Sequence, residues 1–236
     1  SEAPWYEPLS LLTMIASNTT NIKLATAVLI APLRNPALLA KTAATLDSIS
    51  KGRLELGVGL GWQKEEYDTA GLSFENRAEV FWETLDICKL LWEDSPISFN
   101  GKYFNFDDIW CHPQPPQGKD LPLLFGLKMT PENASKIARV GHGWIPIKTS
   151  RDFISEGKQI LSEAFINAGR KDQPRIRGQL PTRFDEDGLP NIQLTLNEIE
   201  KSVAAGLDEV EVFPINFVQG PEDIYKVLKL ISEVKK

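Results

Sequence analysis

Gly52-Arg53-Leu54-Glu55-Leu56-Gly57-Val58-Gly59-Leu60-Gly61-Trp62 is the stretch on which the reading of the fold turns. Leu54, Leu56 and Val58 alternate with Glu55, Gly57 and Gly59, the period of two that marks a strand with two distinct faces. Glycines then recur at 57, 59 and 61. Glycine in a strand adds chain entropy and packs nothing, so it marks close approach by a ligand or by another backbone. A tight strand-to-helix turn that needs positive φ accounts for the spacing equally well. A dinucleotide fingerprint starting at Gly57 and Gly59 requires a third glycine at position 62, and Trp62 stands there. An indole cannot replace the glycine that lets a Rossmann helix and strand touch, so that fold is set aside.

Upstream, Asn35 and Pro36 read as N-cap and first-turn proline of a helix through Leu39, Ala43, Leu46 and Ile49, closed by Gly52. A strand over 22–30 precedes it, after an amphipathic helix over about 6–18 with Pro8, Leu11, Leu12, Ile15 and Ala16 at helical spacing. Downstream, a helix over about 76–93 sets Phe81, Leu85, Cys88 and Trp92 on one face, which makes Cys88 a buried apolar residue rather than a nucleophile. Residues 94–122 interrupt the pattern as an insertion. Asn100-Gly101 is the turn of a hairpin, and Pro113, Pro115 and Pro116 form an extended connector. The insertion could cover an active-site mouth or be a surface excursion.

Alternation then resumes. Strand 123–126 leads to a helix opened by Thr130 and Pro131 and closed by Gly141, and strand 144–147 leads to a helix over about 151–168. Strand 175–182 is followed by a helix with Thr195 and Glu198 as capping-box pair, ended by Gly206. Strand 210–214 and a helix from Pro221 complete the chain. Six strand-helix units after a lone helix imply an α/β protein with a parallel sheet. The units fit an open doubly wound sheet or a barrel of eight units without its first strand, helix and second strand. The chain opens on Ser1-Glu2-Ala3-Pro4 and a helix, where a strand is the natural start, so a preceding segment is expected.

The 236 residues are 42% hydrophobic and 25% charged with a net charge of −6, which gives no footprint for nucleic acid or an anionic membrane. No apolar run has the length of a membrane span, and Cys88 and Cys111 have neither metal nor disulfide-framework spacing. A cytoplasmic protein without a metal is the expectation.

With the glycine strand as anchor, the sequence resembles the bacterial luciferase-like family, flavin- and deazaflavin-dependent oxidoreductases built on a TIM barrel. The resemblance rests on Ile22 to Val28, Pro36 to Ala40, the run Leu46-Asp47-Ser48-Ile49-Ser50-Lys51-Gly52-Arg53-Leu54, and Gly57 to Trp62, followed by Phe74, Arg77 and Gly141-His142-Gly143-Trp144. It implies a single barrel domain over 1–236 whose cofactor lies across the carboxyl ends of the strands. That cofactor is coenzyme F420 or, alternatively, FMN, with hydride transfer to or from a small organic substrate and oxygenation as a further activity.

By the same resemblance, Thr26-Ala27-Val28 forms a bulge with a non-proline cis peptide at Ala27–Val28 that supports the ring, and Gly59, Leu60, Gly61 and Trp62 form the opposite wall. Gly126, Leu127 and Lys128, leading into the helix capped by Thr130, would hold the phosphate, with Gly141, His142 and Gly143 as a second loop near it. A homodimer is implied as well. No catalytic residue is visible: Glu65 and Glu66 read as solvated glutamates favourable to a helix start. The alternative is a non-catalytic relic, an incomplete barrel that binds a cofactor or forms dimers.

Overall fold

The computed structural model describes residues 6–234, so the reading of residues 1–4 lies outside the described part. The chain forms two compact units, Ser1–Gly126 with Val140–His142, and Leu127–Arg139 with Gly143–Lys236.

In the first unit, α1 (Pro8–Asn18) is capped by Glu7, whose carboxylate accepts the Ser10 amide at 2.7 Å, and it packs on α2 (Pro36–Ser50). Asn35 caps α2 as its sequence predicts, accepting the Leu38 amide at 3.1 Å. The helix stops because Lys51 and Gly52 both turn left-handed, with φ of 58° and 80°. The single strand expected over 22–30 is broken into β1 (Leu24–Ala25) and β2 (Leu29–Ile30). Between them the Thr26 hydroxyl donates to the Gly57 carbonyl at 2.8 Å, and the Ala27–Val28 peptide is cis.

Strand β3 (Leu54–Gly59) pairs in parallel with β1 and β2 and with β6 (Leu123–Gly126). All six of its residues are buried, so the alternation separates two buried faces. Glu55 is tolerated there because Lys23 Nζ lies 2.7 Å from its carboxylate.

A short helix that the pattern does not show, α3 (Lys64–Thr69), precedes α4 (Arg77–Glu93). Phe81, Leu85, Cys88 and Trp92 are buried on α4 as their spacing requires, and burial pushes the Cys88 thiol far up, which removes it as a nucleophile. The insertion holds the expected hairpin, β4 (Ile97–Asn100) with β5 (Asn105–Ile109). Its turn is tied to α4, for Glu83 accepts the Lys102, Tyr103 and Phe104 amides at 3.1, 2.9 and 2.8 Å. Glu79 takes the Lys102 ammonium and, at 2.8 Å, the Tyr103 hydroxyl. The hairpin is therefore a strap along the polar side of α4.

The second unit contains α5 (Pro131–Val140, its last residue belonging to the first unit), β7 (Gly143–Trp144) and α6 (Arg151–Asn167). It continues through β8 (Arg175–Gln179), α7 (Ile192–Leu196), α8 (Ile199–Ala204), β9 (Glu209–Glu211) and α9 (Pro221–Ser232). Strands β7, β8 and β9 are parallel neighbours. Each is shorter than its sequence suggests, because Pro146, Pro181 and Pro214 stand in the expected continuations and cannot donate to a ladder. Trp144 and Ile176 share the face toward α6, where Gly157 leaves room for the indole: a Cβ there would lie 2.3 Å from Trp144 Cη2. The other face carries Arg175, Arg177, Gln179, Glu209 and Glu211.

The capping-box expectation is corrected. Asn191 caps α7 by accepting the Leu194 amide at 3.0 Å, and Thr195 lies inside that helix with its hydroxyl on the Asn191 carbonyl at 2.9 Å. Glu198 instead faces three cations, described below.

Candidate functional site

In the first unit the strand register sets Ile30, Gly59 and Gly126 level at the carboxyl edge of β2, β3 and β6. Val28 lies over this row. A Cβ on either Gly59 or Gly126 would stand 2.7 Å from a Val28 methyl. The bare strand ends thus admit a valine side chain from the broken strand, so the close approach that their glycines signal is first of all intramolecular. Val28 remains 38% exposed and forms an apolar platform at the edge. Gly59→Ala should push Val28 off this seat at a cost of about 1–3 kcal/mol, and adding Val28→Ala should recover about half of it. Urea unfolding of the single and double variants measures that coupling, and additive losses would refute the contact.

Leu60, Gly61 and Trp62 follow. Gly61 has φ of 72° and sits against Ile30, so the turn reading of this glycine holds. The Tyr67 hydroxyl donates to the Leu60 carbonyl, the Tyr67 ring meets Phe74 edge-on at 5.4 Å, and the Arg77 guanidinium lies 3.7 Å over Phe74. Arg77 Nη1 also donates to the Phe74 carbonyl at 2.6 Å. This cluster fixes the segment, and Trp62 stands on it 81% exposed, an indole not used for packing. Thr26 is buried and Ala27 exposed.

His142 does not join this edge. The His142 amide donates to the Leu123 carbonyl at 2.8 Å, and its Nδ1 accepts the Leu123 amide at 3.2 Å. Leu123 is the first residue of β6 and Gly126 the last, so His142 braces the amino edge of the strand, about 10 Å away at 3.3 Å per residue. Gly143 opens β7 and presses on the neighbouring strand, where its Cβ would lie 2.0 Å from the Arg175 carbonyl oxygen. His142 thus ties to the start of β6, and Gly143 belongs to the β7–β8 ladder.

In the second unit the α5 start is less open than its sequence suggests. Thr130 takes the Asn133 amide at 3.2 Å, and Pro131 has none to offer. Leu127 is buried with its carbonyl on Trp144 Nε1 at 2.8 Å, while Lys128 is exposed. Of the free amides expected at the first turn, Glu132 keeps the main share, and its own carboxylate pairs with Lys136.

On the polar face of β8 and β9, Arg177 Nε donates to Glu209 at 2.6 Å. Burial pushes the Glu211 carboxyl up, against the pull of Arg177. The sequence gives no signal for this face, because its charged residues read as a weak strand.

Nor does it signal the Glu198 cluster, in which Arg151, Arg183 and Lys201 come from separate segments to one nearly buried carboxylate. Hydrogen bonds from Arg183, Lys201 and Arg151 hold the Glu198 carboxyl down at about 2. Its folded value lies below the ordinary 4.5, so its contribution is complete above pH 4.5 and is lost as pH falls through about 2. Glu198→Gln should therefore flatten the acid limb of stability between pH 4.5 and 2, read by urea midpoints across pH, and an unchanged limb would count against the cluster.

A family model described as luciferase-like monooxygenase matches residues 1–187 of this chain. The chain belongs to that family. This luciferase-like protein is 36% identical over 159 residues to an uncharacterized protein of Mycobacterium tuberculosis, covering 67% of this chain and 55% of the relative. It is 30% identical over 197 residues to the F420-dependent glucose-6-phosphate dehydrogenase of Kineococcus radiotolerans, covering 78% of this chain and 56% of that enzyme. The chain thus spans about half the length of these curated relatives.

Among solved structures, the coenzyme F420-dependent tetrahydromethanopterin reductase of Methanopyrus kandleri superposes with a TM-score of 0.79. The match has 20% identity and covers 97% of this chain and 86% of that one, which shows the fold. The α/β class and the barrel type expected from the resemblance are those of this luciferase-like family. Among the described residues no helix is long and apolar enough to cross a membrane, and no group of His, Cys, Asp and Glu could hold a metal ion.

Proposed function

We propose that the protein is an oxidoreductase that holds coenzyme F420, or alternatively FMN, at the carboxyl edge of β2, β3 and β6 and passes a hydride between it and a small organic substrate. The observation that carries this reading is the level row Ile30, Gly59 and Gly126, roofed by the half-exposed Val28 and followed by the exposed Trp62. Parallel α/β folds bind ligands at this end of their strands. Thr26, Ala27 and Val28 would back the ring, and Leu60, Gly61 and Trp62 would wall it. Such a ring supplies the hydride-accepting centre that no side chain provides. The chain's part is to bind and orient it and to exclude water: the Val28 methyls give an apolar bed, the Trp62 indole a planar cover, and Thr26 and Tyr67 hold both walls still. By the family resemblance, Lys128, exposed in the second unit, would offer its charge to a phosphate.

Titrating the full chain with F420 and with FMN, followed by cofactor fluorescence and visible absorbance, tests the reading. Saturable F420 binding is expected, weakened at least about tenfold by Trp62→Ala. Tight FMN binding without F420 would move the protein to the oxygenating branch, and binding of neither overturns the proposal. A homodimer is part of the same reading: α1 and α2 leave Leu11, Met14, Leu38 and Ile49 exposed, and sedimentation at the mass of a single 26.4 kDa chain would refute it.

A further inference from the structure

The cations around Glu198 lie in segments that follow the carboxyl ends of two neighbouring parallel strands of the second unit. Arg151 opens α6 after β7, Arg183 comes after β8, and Lys201 lies on α8. Glu198 is 7% exposed and takes Arg151 Nη2 at 2.9 Å, Arg183 Nη2 at 3.0 Å and Lys201 Nζ at 3.1 Å, whereas the cationic side chains are 50%, 48% and 57% exposed.

One cation neutralises a carboxylate. Three around one leave two positive charges in surplus, and that repulsion works against folding. Beyond the first pair, each further half-exposed cation adds little stability in return. Glu198 instead sets two guanidinium groups side by side on one oxygen. Each uses only Nη2, so its remaining N–H donors have no protein acceptor among the described residues. A planar fork with spare donors is the arrangement that recognises phosphate oxygens. Arg151 is also the first residue of a helix of 17 residues whose N-cap, Ser150, makes no side-chain cap, so the positive end of α6 adds to the same charge, partly offset by Asp152.

We propose that Arg151, Arg183 and Lys201, gathered by Glu198, bind the phosphate group of a small-molecule ligand. The site stands on the second unit alone and does not require the cofactor reading to be right. Two sources share the chemistry, the phosphate of a bound cofactor and that of a substrate.

The test titrates the full chain with inorganic phosphate at constant ionic strength, by calorimetry, with folding of each variant checked by circular dichroism. Saturable binding is expected, and Arg151→Gln with Arg183→Gln should weaken it at least about tenfold. Lys226→Gln, which removes a more exposed lysine paired with Asp223, should leave it unchanged. No saturable binding, an unchanged affinity in the double variant, or an equal loss in Lys226→Gln overturns the proposal. Should the double variant fail to fold, phenylglyoxal labelling of the wild type decides by mass spectrometry. Phosphate should slow modification of Arg151 and Arg183 but not of Arg34, and no protection overturns it. FMN and riboflavin titrations then separate the sources. A loss of FMN binding alone in the double variant assigns the cluster to a cofactor phosphate, and unchanged FMN with lost phosphate assigns it to a substrate. If neither flavin nor F420 binds while phosphate does, the cofactor reading fails and this site stands.

Discussion

Gly143→Ala is expected to cost about 3–4 kcal/mol of unfolding free energy, or to prevent folding outright. The added methyl would lie 2.0 Å from the Arg175 carbonyl oxygen and 2.9 Å from its carbon, both backbone atoms of the paired strand. A flexible side chain can rotate away from such a contact. A ladder partner cannot, and the register Gly143↔Arg175, Trp144↔Ile176 would have to open. Because β7 has two residues, losing one pair removes half of its ladder to β8 and loosens Trp144, which is fully buried against α6. Urea unfolding and near-ultraviolet circular dichroism would record the change, and a stability within about 1 kcal/mol of the wild type would show that the strand does not approach this closely.

Arg53→Ala should cost about 3–5 kcal/mol, and Arg53→Lys should recover only a minor part of it. The guanidinium donates from Nε to the Ser50 carbonyl at 2.7 Å and from Nη1 to the Ile22 carbonyl at 2.7 Å and Thr19 Oγ1 at 3.0 Å. Its Nη2 reaches the Ala16 and Thr19 carbonyls at 3.0 and 2.9 Å. One side chain thus satisfies the open carbonyls at the ends of α1 and α2 and the entry to β1. Alanine would strand several acceptors at once. Lysine cannot span them, since its ammonium is a point donor on a flexible stem. Guanidinium-induced unfolding monitored by tryptophan fluorescence measures the loss. Equal stability of the lysine variant would show that the charge matters and the fork does not.

Both predictions fall on residues that mark the family resemblance, and both explain them by the fold. The Lys51-Gly52-Arg53 turn is spelled out locally: left-handed backbone at 51 and 52 ends α2, and the arginine then folds back on the carbonyls it has just passed. Asp47, fully buried six residues earlier, accepts the Leu54 amide at 3.3 Å and the Gln117 side chain at 2.8 Å, and so ties the proline-rich connector to the start of β3. That tie spans 70 residues and left no trace in local spacing. His142 shows the same limit, for its loop resembles a ligand loop in sequence, yet the Leu123 amide and carbonyl hold it at the other end of β6.

Hydrophobic period, caps and breakers are properties of neighbouring residues. They were enough to place α2, α4, β3 and the Asn100-Gly101 hairpin, and to make the chain a parallel α/β protein. What a glycine leaves room for depends instead on which strand lies beside it. Tertiary structure alone decided that Gly59 and Gly126 seat Val28, that Gly143 serves a ladder, and that Glu198 gathers cations where its spacing suggested a helix cap. The physical reason is that steric contact and charge act across a few ångströms of space, whatever length of chain separates the partners.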